Sequence, residues 1–348
     1  MMDWNVDTNK KEAGPATAVS SHKLLEVTNL GVTFKTDEGL VRAVDGISFT
    51  VHKGKTLGIV GESGSGKSVT AQSIMRLLPK SAIIDEGSSI AFYREDGPIE
   101  ITSLDSRSRQ MRELRGGSIA MIFQEPMSSF SPVYTIGNQI MEAILQHRDV
   151  SKKRAREIAI DMLDRVGIAN PGVRIDQYPF ELSGGMRQRA MIAVALSTRP
   201  SLLIADEPTT ALDVTIQAQI LELMRELKEE FDMSIIFITH DLGVIAQIAQ
   251  EIVVMYLGKA MERGTAKEVL GNPQHPYTIS LLGAIPKLGS LGGRLTPVGG
   301  DIPSPLQRPS GCPFHTRCKQ KIEGVCDVNP PGTTRISNTH TVYCYLYE

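Results

Sequence analysis

A glycine-rich run near the start of the chain has the residue types that phosphate binding needs. In Gly61-Glu-Ser-Gly-Ser-Gly-Lys67-Ser68, the glycines let successive backbone N–H groups face phosphate oxygens. Lys67 supplies charge for the β- and γ-phosphates, and Ser68 offers a hydroxyl to Mg²⁺. The candidate nucleotide-binding residues of this loop are Gly61, Ser63, Gly64, Ser65, Gly66, Lys67, Ser68 and Val69.

Two carboxylates follow a short apolar run at Leu202–Ala205. Asp206 is suited to hold the Mg²⁺ shell, and Glu207 to polarise an attacking water as general base. A solvated acidic pair is the alternative, but it would not explain the apolar residues before it.

Gln124 and His240 also follow apolar runs, at Ser118–Phe123 and Ser234–Thr239. Taken singly, each would be an ordinary surface polar residue. If the runs are parallel strands of one sheet, both side chains emerge at the same edge as Asp206.

The elements that must position these residues can be predicted from hydrophobic periodicity. Alternation between Leu24 and Val51 predicts two antiparallel strands, Thr56–Val60 a buried strand before the loop, and Lys67–Leu78 a helix that stops before Pro79. Helical patterns at Thr135–Leu145 and Ala155–Val166 predict a helical insert.

Composition limits the class of protein. The chain has 348 residues, 41% of them hydrophobic, with 37 Lys+Arg against 39 Asp+Glu and a net charge of −2. That balance gives no basic face for nucleic acid. No apolar run approaches the ~18–20 residues that span a bilayer. The polar residues 1–22 are interpreted as a disordered leader of a cytoplasmic protein.

All four cysteines lie near the C-terminus, at Cys312, Cys318, Cys326 and Cys344. Structural disulfides are rare in a reducing cytoplasm. Four thiolates suit a tetrahedral Zn²⁺ or a cubane iron–sulfur cluster, although the spacing is not that of a zinc ribbon, and small buried cysteines that only pack are a third interpretation.

The motifs, taken in order, resemble those of the ABC (ATP-binding cassette) ATPases. They are the loop 61–68, Gln124, the signature Leu182-Ser-Gly-Gly-Met-Arg-Gln-Arg189, the acidic pair, a D-loop Ala211-Leu-Asp213 and His240. The resemblance covers roughly residues 24–270 and implies an α/β P-loop NTPase: a RecA-like core with an antiparallel β subdomain, a helical subdomain at about 125–185, and a small C-terminal Cys-rich module.

The resemblance also implies roles for individual residues. Gln124 would reach the metal and water, His240 would contact the γ-phosphate, and Phe34 would stack on adenine. Ser183, Gly184 and Gly185 would bind the γ-phosphate of ATP held by a partner cassette. Mg²⁺ would be held by Ser68, Gln124 and Asp206.

Longer phrases, among them MIFQEPMSSFSPVYTIGNQI and HPYTISLLGAIP, resemble the ATPase subunits of oligopeptide/dipeptide importers. Some members carry a [4Fe-4S] cluster in a similar tail, which favours that ligand over Zn²⁺ for the four cysteines. The implied partners are a second, related ATPase in a heterodimer, two transmembrane permease subunits and an extracytoplasmic solute-binding protein. Such a subunit lies peripherally on the cytoplasmic face of the inner membrane.

Other functions remain open at this point. Relatives that import nickel or oligosaccharides share these phrases. Non-transport ABC ATPases are disfavoured, because repair types insert long coiled coils before the signature and ribosome-acting types carry two cassettes. A phosphate-loop kinase would need neither the signature nor Gln124. The predicted domains are a nucleotide-binding domain at 23–275 and a linker with the cysteine module at 276–348.

Overall fold

A computed structural model describes residues 23–124, 129–210, 212–284 and 299–348. The predicted leader at 1–22, Ala211 of the predicted D-loop and residues 285–298 of the predicted linker lie outside these ranges.

The strands alternate with helices in the order typical of an α/β protein. The strands are β1 (Lys23–Thr36), β2 (Gly39–His52), β3 (Thr56–Val60), β4 (Ala82–Ile84), β5 (Ser89–Arg94), β6 (Gly97–Glu100), β7 (Ile119–Ile122), β8 (Leu202–Asp206), β9 (Ser234–Thr239), β10 (Glu251–Tyr256), β11 (Lys259–Thr265), β12 (Thr333–Arg335) and β13 (Thr341–Tyr343). The α-helices are α1 (Lys67–Ile74), α2 (Arg109–Leu114), α3 (Ile136–His147), α4 (Lys152–Arg165), α5 (Pro171–Arg174), α6 (Gly184–Leu196), α7 (Val214–Glu230), α8 (Leu242–Ile248), α9 (Ala266–Gly271) and α10 (Pro276–Gly283).

The central sheet positions the candidate site. Its strand order is β12-β13-β11-β10-β3-β9-β8-β7, and the five strands from β10 to β7 are parallel. The strands β3, β8 and β9 are buried along their whole length, which their continuous apolar sequences require. Their carboxyl ends meet at one edge, where ligands bind in such sheets.

A second sheet is antiparallel, with the order β2-β1-β5-β6 and β4 paired to β1. Strands β1 and β2 form the hairpin that the alternating sequence between Leu24 and Val51 predicts. Its inward side chains and one side of the central sheet share a core that includes Leu25, Phe49 and Ile59. This arrangement places the hairpin beside the phosphate loop.

The predicted helical insert contains α3 and α4, each begun by a side-chain cap. The hydroxyl of Thr135 accepts a hydrogen bond from the backbone N–H of Asn138, and that of Ser151 from Arg154. The apolar stripe of α4 packs inward as its periodicity predicts. Within the described ranges, no helix is both long and apolar enough to cross a bilayer.

The helix after the phosphate loop is shorter than the sequence suggests. Periodicity predicts a helix through Leu78, but α1 ends at Ile74. Arg76 has a φ of 51°, in the left-handed region, so the backbone leaves the helix before Pro79. The prediction of the proline as the stop is therefore wrong by one helical turn.

The C-terminal residues continue the central sheet. Strand β13 pairs with β11, and β12 pairs with β13. Cys312, Phe314, Cys326 and Tyr343 belong to the same core as the parallel strands. The region expected to form a small Cys-rich module is thus packed onto the body that contains the central sheet.

Candidate functional site

The phosphate loop joins β3 to α1 and has the backbone geometry that an anion cradle needs. Gly64 and Gly66 have φ values of 76° and 96°, which side-chain-bearing residues rarely adopt. A Cβ on Gly61 would lie 2.1 Å from the carbonyl oxygen of Met255. These three positions therefore require glycine for different reasons: two for the turn and one for close packing against β10.

Lys67 is folded back over its own loop. Its Nζ donates to the carbonyl oxygens of Gly61 at 2.7 Å and Glu62 at 3.0 Å, and lies 3.4 Å from the hydroxyl of Ser65. Burial lowers the pKa of Lys67, while Glu207, Asp206 and Glu62 oppose that shift. Acceptor phosphates would replace these carbonyl partners.

Asp206 ends β8 and is almost fully buried. Burial raises its pKa, and a hydrogen bond from the hydroxyl of Ser68 lowers it. Its Oδ1 has no hydrogen-bond partner. A buried carboxylate oxygen without a partner, beside a hydroxyl, fits the oxygen ligands that Mg²⁺ prefers.

Glu207 is the centre of a polar cluster at the edge of the central sheet. Gln124 donates from Nε2 to Glu207 Oε2 at 3.3 Å, and the hydroxyl of Thr210 donates to the same oxygen at 2.9 Å. His240 Nδ1 lies 3.4 Å from Glu207 Oε1. The three residues that the sequence predicts at the ends of β7, β8 and β9 therefore come together.

The backbone at Glu207 is unusual, because its φ of 47° lies in the left-handed region. Its N–H donates to the carbonyl of Ile238 at 2.9 Å, which ties the turn to β9. Strain of this kind persists only where neighbouring contacts impose it and is concentrated at functional sites. Here it turns the carboxylate toward Gln124 and His240.

The signature residues lie on another element. Ser183 caps α6 by accepting a hydrogen bond from the N–H of Met186, and Gly184 and Gly185 open that helix. Ser183 and Gly184 are exposed, and among the described residues none of the hydrogen bonds joins them to the phosphate loop. The buried Gln188 of α6 donates to the carbonyl of Pro208 and so links α6 to the acidic pair.

Phe34 lies on β1 opposite Val41 of β2 and is partly buried against the core that the hairpin shares with the central sheet. A cavity of about 60 Å³ lies next to this hairpin. Its lining is Val41, Arg42, Ala43, Gly64, Leu257, Pro305 and Arg308. The hairpin and the phosphate loop therefore face a common space, and the adenine contact of Phe34 stays a prediction.

Two family profiles match the chain in succession. That of the ABC transporter matches residues 44–210, and that of the oligopeptide/dipeptide transporter C-terminal region matches residues 261–326. The dipeptide transport ATP-binding protein DppD of Bacillus subtilis is 52% identical over 327 residues, which is 94% of this chain and 95% of that protein. The chain belongs to the ABC transporter ATPase family.

Further relatives and solved structures agree with that membership. The oligopeptide transport ATP-binding protein OppD of Salmonella typhimurium is 50% identical over 308 residues, covering 88% of this chain and 89% of that protein. A dimeric ATP-binding cassette in its post-hydrolysis state, bound to ADP and phosphate, superimposes with a TM-score of 0.61 at 26% identity, covering 70% of this chain and 99% of that one. The P-loop cassette fold expected from the motifs is confirmed, and as a member of the family this ABC ATPase hydrolyses ATP.

The four cysteine residues of the ABC ATPase are free thiols: Cys312, Cys326 and Cys344 are buried and Cys318 is partly buried. Burial, with smaller contributions from the other three thiols, raises the pKa of Cys312 to about 12. In the described ranges, no group of three or more His, Cys, Asp or Glu side chains is arranged to hold a metal ion. The expected [4Fe-4S] or Zn²⁺ site is therefore not supported by this geometry.

Sequence reasoning missed contacts made by Thr210, Glu62 and Arg317. Thr210 lies in the phrase Pro208-Thr-Thr, whose hydroxyls beside Glu207 were a usable signal. Glu62 and Arg317 form an ion pair across 255 positions of the chain. No local pattern could have found it.

Proposed function

We propose that this chain is the ATP-hydrolysing subunit of an ABC importer for di- or oligopeptides. The observation that carries the proposal is the meeting of Gln124, Glu207 and His240 at one sheet edge beside an intact phosphate loop. Relatives named as dipeptide and oligopeptide transport ATP-binding proteins support the cargo class.

In this proposal the loop backbone and Lys67 bind the phosphates of ATP. Ser68, Asp206 and Gln124 hold Mg²⁺, which neutralises phosphate charge when bound. The orphan Oδ1 of Asp206 supports that assignment.

Glu207 then orients and deprotonates the attacking water. The side chain of Glu207 is 12% exposed, so water can reach it. Gln124 and Thr210 both donate to Oε2, which leaves Oε1 on the side of His240. His240 is 59% exposed and can meet the γ-phosphate. Phosphoryl transfer needs mainly such positioning.

The signature would complete the site of a second cassette. Exposed Ser183 and Gly184, with Gly185, would donate to the γ-phosphate of ATP bound by that partner. ATP would thus hold two cassettes together, and hydrolysis would release them. The dimeric relative bound to ADP and phosphate supports this arrangement.

The partners we propose are a related ATPase in a heterodimer, two permease subunits and an extracytoplasmic binding protein, with this chain on the cytoplasmic face of the membrane. Two exposed aromatic side chains before the signature, Tyr178 and Phe180, stack at 5.4 Å on the helical insert. An exposed apolar pair of this kind suits a protein contact. The proposed boundaries are 23–275 for the nucleotide-binding domain and 276–348 for the C-terminal region.

Disrupting the gene tests the cargo. We expect uptake of a labelled dipeptide or oligopeptide to fall to background, while nickel and oligosaccharide uptake stay unchanged. Loss of nickel or oligosaccharide uptake with normal peptide uptake would favour the alternative cargo.

For the cysteines we propose a [4Fe-4S] cluster, with Zn²⁺ as the second candidate. Support comes from residue type, since four thiols fall within one short region of the sequence. Iron, sulfide and zinc analysis of protein purified without oxygen decides this. A preparation that contains none of them shows that the cysteines only pack.

A further inference from the structure

The ion pair between Glu62 and Arg317 joins the phosphate loop to the C-terminal region. The guanidinium donates to both carboxylate oxygens of Glu62, at 2.7 Å from Nη1 and 3.0 Å from Nη2. The side chain of Arg317 is 3% exposed and that of Glu62 is 24% exposed. A two-pronged pair of this kind fixes orientation as well as distance.

Arg317 itself is held firmly. Its Nε donates to the carbonyl of Gly299 at 2.9 Å, and its Nη1 lies 3.3 Å from the hydroxyl of Tyr256. The guanidinium also lies 5.6 Å from the ring centroid of Tyr256 and 6.0 Å from that of Phe314. These contacts make Arg317 a rigid support rather than a mobile surface arginine.

The backbone of Glu62 is held from the same side. Its N–H donates at 3.0 Å to the hydroxyl of Tyr277, whose ring packs against Tyr256 and Phe314. Tyr277 belongs to the phrase His275-Pro-Tyr, and Arg317 follows Phe314 in the cysteine region. Two separate C-terminal segments thus converge on one residue of the phosphate loop.

The backbone carbonyl of Glu62 makes hydrogen bonds within the phosphate loop. It accepts hydrogen bonds from Lys67 Nζ at 3.0 Å and from the N–H of Ser65 at 3.2 Å. If this peptide rotates, the lysine and the backbone donors that face phosphate move with it. Misplacing such groups by about 1 Å is costly for binding and catalysis.

We propose that Arg317 is a positioning residue of the ATP site, which acts through Glu62 to keep the phosphate loop in its anion-binding shape. The C-terminal region is then part of the nucleotide-binding machinery rather than an appendage. This inference rests on the proposed ATPase site, but it does not depend on what the cysteines hold.

A second contact of the C-terminal region provides the matched control. The hydroxyl of Thr339 donates to the carboxylate of Glu268 on α9, at 2.9 Å from Oε1 and 2.8 Å from Oε2. This pair also docks C-terminal residues on the body, but the other described side-chain partners of Glu268 are Thr265 and Ser337, which lie outside both the phosphate loop and the segment of Tyr277. Loss of docking alone should appear equally in both variants.

The test is equilibrium binding of Mg-ATP to the full chain, with the melting temperature measured in parallel. Arg317→Ala should raise the Kd for ATP about tenfold, within the usual range for coupling between sites. Thr339→Val should lower the melting temperature but leave the Kd within about twofold, as for uncoupled positions. In turnover, Arg317→Ala should raise KM for ATP more than it lowers kcat.

A double variant shows whether Arg317 acts through Glu62. In a Glu62→Ala background, Arg317→Ala should add little to the rise in Kd. If Arg317→Ala does not fold, Arg317→Lys and Glu62→Gln carry the same test, because both keep side-chain size while losing the two-pronged ion pair.

The positioning role of Arg317 and the proposed function are contradicted by different results. Equal shifts in Kd for the Arg317 and Thr339 variants, or an unchanged Kd in every foldable variant of the Glu62–Arg317 pair, overturn the positioning role. Failure of the wild-type chain to bind Mg-ATP overturns the proposed function instead.

Discussion

The amide of Gln124 lies within hydrogen-bond distance of the Glu207 carboxylate, although 83 positions separate them in the chain. The helical insert begins after Gln124, and Glu207 directly follows Asp206, the last residue of the central strand β8. This contact therefore connects the insert, which would face the permeases, to the residue proposed as general base. A movement of the insert would change the hydrogen bonding of Glu207.

Replacement of Glu207 should separate ATP binding from ATP turnover. Glu207→Gln should retain ATP binding and reduce turnover by at least about 100-fold, since general bases contribute 10²–10⁴. The amide keeps the shape of the side chain, so nucleotide binding and stability should stay close to wild type. Measurement of ATP binding and of phosphate release in the same preparation checks the retained binding and the reduced turnover. Turnover at the wild-type rate would refute the role of Glu207.

Replacement of Lys67, in contrast to replacement of Glu207, should weaken the binding of ATP itself. Lys67→Ala should weaken ATP binding by about 10–100-fold, because hydrogen bonds to charged groups are worth ~1.5–3 kcal/mol. Lys55 lies outside the loop, so Lys55→Ala is the control and should leave the Kd for ATP unchanged. An unchanged Kd in the Lys67 variant would contradict the loop assignment.

The signature can be tested without disturbing the fold. A Cβ at Gly184 would meet no atom within 4 Å, so Gly184→Ala should fold and bind ATP normally as a single chain. Any loss of turnover in the assembled pair must then arise at the partner's nucleotide. We expect reduced ATP-dependent association in sedimentation experiments, and full association and turnover would argue against the composite site.

Stability should depend on pH through Glu268. Burial raises its pKa, but hydrogen bonds from Ser337, Thr265 and Thr339 outweigh this and lower the pKa to about 2 from 4.5. A lowered pKa gives stabilisation that is full above pH 4.5 and is lost as pH falls toward 2. Glu268→Gln should therefore be less stable than wild type at neutral pH.

That deficit should shrink as the pH falls below 4.5, because Glu268 of the unfolded wild-type chain then binds a proton that folding must remove. Urea midpoints of both proteins at neutral pH and at about pH 3.5 provide the comparison. A deficit that is constant with pH would contradict the lowered pKa.

The sequence predicts the site best where chemistry and local pattern coincide. Strands β3 and β9 have the predicted bounds, and the polar residues that follow β7, β8 and β9 meet at one edge. Both results follow from apolar runs with a polar residue at the end of each. Strand propensity, together with the parallel arrangement of the strands, is enough to predict these strand bounds and the meeting of the polar residues.

Features set by long-range packing could not be predicted. The left-handed φ of Glu207 depends on its bond to Ile238 of a neighbouring strand. Strands β12 and β13 have three residues each and gain their order from pairing with β11. The ion pair of Glu62 and Arg317 exists only because the C-terminal region folds back on the loop.

Uptake of a labelled dipeptide by cells whose own gene carries Glu207→Gln tests the central claim most directly, since partners and membrane remain native. A Glu226→Gln strain, changed at an exposed carboxylate of α7, is the control. We predict that uptake falls to background in the first strain and stays at wild-type level in the second. Wild-type uptake in the Glu207→Gln strain would contradict the account.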